Sequence, residues 1–207
     1  MDWPSAGTIG AFFVTSIAVE LTPGPNMAYL ALLGLSHGRV AGLFAVAGVA
    51  LGLAVIGGLA AVGMASLVAQ TPALYQGIRW AGIAYLIWLG YESWRDANAP
   101  IGARQLAGTP MGFFRRGLVT NLLNPKAAVF YIAVLPSFLA AEAPIGAFGL
   151  LVLVYVGAAT LVHALIVLGA GALEPFVTRS GHRRALGAVF GAMLVGVAVW
   201  LAWSTAG

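Results

Sequence analysis

The chain has 207 residues, 61% of them hydrophobic and 8% charged, with a net charge of +4 and a mean hydropathy of +0.96. Soluble domains carry roughly a quarter charged residues, so the composition excludes a soluble fold. The small positive charge, confined to loops, reads as membrane orientation and not as a nucleic-acid surface. The chain contains no Cys, which excludes a disulfide framework, a thiolate metal site and a thiol relay. HExxH, Walker A and nucleotide-binding glycine signatures are also missing, so neither an enzyme nor a cofactor or metal is expected.

The N-terminus, Met1-Asp2-Trp3, has no basic n-region and no small-residue cleavage site. The first apolar run is therefore expected to be a retained span. A span needs about 20 apolar residues, and six candidates follow in order. They are Thr8–Leu35, Ala41–Val68, Ile78–Trp94, Phe113–Leu139, Pro144–Leu173 and Leu186–Trp203. The first is interrupted at Thr22-Pro23-Gly24-Pro25-Asn26 and the fourth at Asn124-Pro125. Each proline removes a backbone donor and clashes with the preceding turn. In hydrocarbon such a break is tolerated only against protein or a wet cavity.

Lys/Arg asymmetry sets the orientation. Arg39, then Arg95, Arg104, Arg115 and Arg116, then Arg179, Arg183 and Arg184 follow spans 1, 3 and 5; only Arg79 lies on the other side. Connections 1–2, 3–4 and 5–6 are expected in the cytoplasm and both termini outside. The polar stretch 96–111 divides the chain into repeats of residues 1–95 and 112–207. Each repeat opens with a proline-broken span, and three spans per half make the halves inverted. The expected fold is thus an all-α integral membrane protein with six transmembrane helices in two inverted three-helix repeats. Paired broken spans in corresponding positions point to a transporter site.

Gly24-Pro25 and Asn124-Pro125 read as helix starts, with proline at the first helical position and Gly or Asn as the cap. Such ends present free N–H groups and a positive dipole to anions, including carboxylates. Lys126 either reinforces them or snorkels toward the cytoplasm. Glu20, just before the first break, must be paired, wet or protonated within the apolar zone. It can carry a coupling proton, hold a substrate ammonium or pair with Lys126. His163 can relay a proton or bond a neighbouring helix as a neutral ring. Tyr29, Tyr85 and Tyr131 are further candidates for an ammonium. Glu92 and Arg95 read as a helix-surface pair. Gly48/Gly52 and Gly187/Gly191 permit close helix approach, within one protomer or in a homodimer.

Three motifs resemble the LysE/RhtB amino-acid exporter family. One is Thr22-Pro23-Gly24-Pro25-Asn26 followed by Leu35-Ser36-His37-Gly38-Arg39 and Gly48-Val49-Ala50-Leu51-Gly52. The second is Gly82-Ile83-Ala84-Tyr85-Leu86-Ile87-Trp88-Leu89-Gly90. The third is Asn121-Leu122-Leu123-Asn124-Pro125-Lys126-Ala127 followed by Leu135-Pro136-Ser137-Phe138. The resemblance implies a bacterial inner-membrane protein that exports amino acids or close derivatives against a proton gradient. It carries the family's break residues onto Pro23, Gly24, Pro25, Asn26, Asn124, Pro125 and Lys126, with Asn121 beside them. Some members have Asp just after the second-span glycine, where this chain has Leu53, so a mechanism resting on that carboxylate does not carry over. Coupling would then fall to Glu20 or His163, or be of a different kind. The rival readings are a channel, which would show flux without counterflow, and an assembly subunit, which would show none. Haem is disfavoured because His37, His163 and His182 are dispersed.

Overall fold

A computed structural model describes residues 3–21, 25–63, 71–98, 108–140 and 143–178, and in the last stretch residues 188, 189, 191–193, 195, 196, 198, 199 and 203. Thr22, Pro23, Gly24, Gly187 and His182 lie outside the described residues, as do the side chains of Pro25, Arg79, Glu92 and Pro125. All regular structure among the described residues is helical.

Helix α1 is Ala6–Leu21. Ser5 caps it, its Oγ accepting the Thr8 N–H at 3.1 Å. Thr15 and Ser16 donate their hydroxyls back to the carbonyls of Ala11 and Phe12 at 2.9 and 2.7 Å. Both polar groups are thus satisfied inside the helix. Helix α2 runs from Pro25 to Ala61, but Gly38 (φ 80°, ψ −179°) divides it into arms 25–37 and 39–61. That left-handed conformation suits glycine. It falls at the expected boundary between spans 1 and 2. The first arm, about 20 Å long, is too short to cross hydrocarbon alone.

Helix α3 is Pro72–Asn98. Helix α4, Pro110–Leu122, is capped by Thr109, whose Oγ1 accepts the Gly112 N–H at 3.1 Å. Helix α5, Pro125–Val129, continues as a π-helical turn, Phe130–Val134, and a 3₁₀ turn, Leu135–Phe138. Pro136 explains the change of winding: it has no N–H for the Ile132 carbonyl and its ring crowds that group. The rods Pro110–Leu122 and Lys126–Phe138 meet at 54°. The bend falls at the expected Asn124-Pro125. Helix α6, Ile145–Thr178, is about 50 Å long, more than the roughly 30 Å hydrocarbon core.

Among the described residues, Asn26–Ala61 and Ile145–Ala172 are long and apolar enough to cross a bilayer, and the bent pair meets the same criteria when its two rods are taken together. The surface confirms the setting. On α6, Leu153, Leu161, Leu165 and Leu168 face outward, while Tyr155, Ala159, His163 and Val167 face inward. A helix apolar on its outer face and carrying its polar groups inward belongs in lipid.

The second arm of α2 lies at the centre, between α4 and α6, and glycines let it approach both. A Cβ at Gly48 would collide with the Phe114 carbonyl oxygen, and one at Gly117 with that of Ala45. Gly34 and Gly42, on opposite sides of the Gly38 turn, both rest on Val167 of α6. Gly191 likewise approaches the Gly90 carbonyl of α3. Gly48, Gly52 and Gly191 therefore serve packing within the protomer.

Gly48→Ala should destabilise the protein by about 1–3 kcal/mol, because a backbone carbonyl must move. Gly58→Ala, with no atom within 4 Å of the added methyl, should leave stability unchanged or raise it. Thermal unfolding of the two variants in detergent, followed by tryptophan fluorescence, provides the comparison.

Candidate functional site

Glu20 occupies the last turn of α1, is 5% exposed, and faces α6. Tyr155 Oη donates to its Oε1 at 2.5 Å. That is the short range of a charge-assisted hydrogen bond. His163 Nε2 lies 3.1 Å from Oε2, at ion-pair distance but without the alignment of a hydrogen bond. Its Nδ1 has no hydrogen-bond partner among the described residues. Tyr155, Ala159 and His163 follow at i, i+4 and i+8 on one buried stripe of α6. The small Ala159 keeps the stripe open between the two polar groups.

An aromatic cluster encloses the pair. Phe130 stacks on Tyr155 with centroids 3.8 Å apart and planes 12° apart. Tyr131 meets Tyr155 edge-on at 5.2 Å, and Phe12 of α1 packs against Phe130 and Phe138 at 5.7 and 5.2 Å. The Tyr131 hydroxyl donates to the Leu53 carbonyl at 2.9 Å. Lys126, partly buried, lies within electrostatic range of Glu20.

The two breaks are built differently. Arm 25–37 begins at Pro25, with Asn26 buried in its first turn and Asn26 Oδ1 without a hydrogen-bond partner among the described residues. At the second break Asn124 caps α5 as expected, its Oδ1 accepting the Lys126 N–H at 3.1 Å. That N–H is consequently occupied and not free for an anion. Asn121 closes α4, fully buried against Gly52, with neither Oδ1 nor Nδ2 bonded among the described residues. Buried amides are nearly always satisfied, so orphaned ones require a water or a ligand.

The structure thus brings together Glu20, His163 and Tyr131, with Lys126 in electrostatic reach. Tyr85 stands on α3 with its ring against Trp88 at 5.4 Å. Tyr155 escapes sequence reasoning because a lone tyrosine in an apolar helix resembles core. The signal that could have found it is its place two turns before His163. Among the described residues no group of His, Asp and Glu side chains could hold a metal.

Residues 17–205 match the family of LysE type translocators, a span that includes all three motifs. The chain belongs to the LysE type translocator family. It is accordingly a membrane transporter and not an enzyme. It is 30% identical over 199 residues to a homoserine/homoserine lactone efflux protein of Salmonella typhimurium, covering 93% of this chain and 94% of that one. It is 30% identical over 200 residues to a leucine efflux protein of Klebsiella pneumoniae, covering 92% of both. An uncharacterized membrane protein of Vibrio cholerae is 36% identical over 131 residues, which span 62% of this chain and 63% of that protein. No solved structure matches the chain.

Asn124→Ala should cost about 1 kcal/mol through loss of the cap, and Asn124→Ser should recover most of it. Thermal midpoints of the two purified variants test the assignment; equal midpoints would remove Asn124 from the cap.

Proposed function

We propose that this translocator exports an amino acid or a close derivative across the bacterial inner membrane by proton antiport with alternating access. The efflux activities named for its relatives support the amino-acid class. The observation that carries the coupling is the buried carboxylate of Glu20, held by Tyr155 and His163. Glu20 belongs to residues 1–95, and these two partners belong to residues 112–207. In a protein of six spans and two inverted repeats, with both termini outside, this contact latches one repeat to the other. A proton arriving at Glu20 or His163 alters the latch, and the repeats rock around it.

The substrate site is separate from the proton site in this reading. Both oxygens of Glu20 already have partners, so the substrate's ammonium falls to amide oxygens. Asn26 and Asn121 supply them, buried and without hydrogen-bond partners among the described residues. The first-turn N–H groups of arm 25–37, from Asn26 onward, receive the carboxylate just past Pro23-Gly24-Pro25. Thr22 flanks that end, and Asn124-Pro125 and Lys126 shape the opposite side. Tyr85 and Tyr131 contribute aromatic walls to the path.

Proteoliposomes loaded with unlabelled amino acids and offered a labelled panel including homoserine and leucine test the reading. Wild-type protein should show saturable counterflow of a subset, accelerated by an imposed pH gradient. Glu20→Gln should fold, since its amide oxygen still accepts from Tyr155, and should lose the acceleration. Full acceleration in a stable Glu20→Gln protein would remove Glu20 from coupling, and absence of any counterflow would remove the carrier reading.

A further inference from the structure

Tyr155 is in contact with both of the features that a coupled carrier must join. Its hydroxyl donates to the Glu20 carboxylate, and its ring lies flat on Phe130 at 3.8 Å. Phe130 opens the π-helical turn Phe130–Val134, the most loosely wound part of the bent helix. Such turns inside α-helices concentrate at functional sites. Tyr131, the next residue, closes on the edge of the same ring and ties the bent helix to α2 through the Leu53 carbonyl. Tyr155 is fully buried, so no contact of this ring is shared with lipid.

We propose that Tyr155 is the positioning residue through which the protonation state of Glu20 is passed to the bent helix. The inference rests on the reading of Glu20 as the coupling site. With Glu20 ionised, the hydroxyl is held by a charge-assisted bond and the ring is fixed against Phe130. When the carboxylate takes a proton, that bond falls to an ordinary neutral one and the ring is released. The π turn, already short of one donor at Pro136, then has room to rewind. The titratable groups facing Glu20 are Tyr155 and His163 from α6 and Lys126 and Tyr131 from the bent helix. Only Tyr155 both hydrogen-bonds the carboxylate and stacks on the π turn among the described residues.

The test separates the two halves of this side chain in the proteoliposome assay. Tyr155→Phe keeps the stack and deletes the donor. It should lose the acceleration by a gradient, because the link from Glu20 to the ring is cut, and the pH profile of the remaining exchange should move to higher pH by about one to two units. Phe130→Leu keeps the donor and deletes the stack. Its pH profile should stay in place while the acceleration by a gradient is lost. A Tyr155→Phe profile superimposable on wild type overturns the proposal, as does full acceleration in Phe130→Leu. Wild-type exchange that ignores pH would overturn this inference together with the coupling reading beneath it. A pH-dependent wild type with either variant unchanged overturns this inference alone.

Discussion

The structure depends on satisfying one carboxylate in a place where water does not do it. An ionised group at bilayer depth is unfavourable by about 2.5–3.5 kcal/mol even on the most lenient scale. Glu20 therefore needs partners from the protein, and α1 has none to offer: of its hydroxyls, Thr8 pairs with Ser5 at the far end, and Thr15 and Ser16 bond to carbonyls of the same helix. The partners come from α6, as Tyr155 and His163, across 135 residues of sequence for the tyrosine. That requirement fixes the rotation of α6, since Tyr155, Ala159 and His163 must all face inward. It also leaves the opposite face to Leu153, Leu161, Leu165 and Leu168, which suit lipid.

Bringing α6 that close has a consequence for the centre of the fold. The second arm of α2 lies between α4 and α6, and side chains there would hold the helices apart. Glycine at positions 42, 48, 52 and 57 removes the obstacle, and Gly117 answers Gly48 from the other side. Close backbone approach of this kind is how membrane helices associate without a hydrophobic drive. It also brings Tyr131 to the Leu53 carbonyl and Asn121 against Gly52. The polar interior is thus assembled by the same small residues that permit the packing.

Much of this was legible in the residues. The bend at Asn124-Pro125, the Asn124 cap and the inward position of Glu20 and His163 follow from proline, asparagine and charge in an apolar chain. Each is a strong local signal, because such residues are expensive in hydrocarbon unless they are placed. What was not legible is what depends on rotation and winding. An apolar helix with leucine on every side carries no moment that says which way Tyr155 points. The shift to π winding at Phe130–Val134 depends on how Pro136 is accommodated, and a kink or a re-registration are equally consistent with the sequence. The partnership of Tyr131 with a backbone carbonyl leaves no trace in any side chain of α2.

That last contact bears on how the translocator divides its labour. Where some members of the family carry an aspartate, this chain has Leu53, buried and apolar. The position still links the two halves, but through its carbonyl, which accepts the Tyr131 hydroxyl. A backbone acceptor cannot take up or release a proton, so this link is constant with pH. The link at Glu20 differs in kind, because its acceptor is a carboxylate. Among the described residues the side-chain hydrogen bonds between residues 1–95 and 112–207 thus include one to a backbone carbonyl and one to a carboxylate. In the coupling proposed for Glu20, the first keeps the halves in register while the second opens. Tyr155 stands between them, its ring against Tyr131 and its hydroxyl on Glu20.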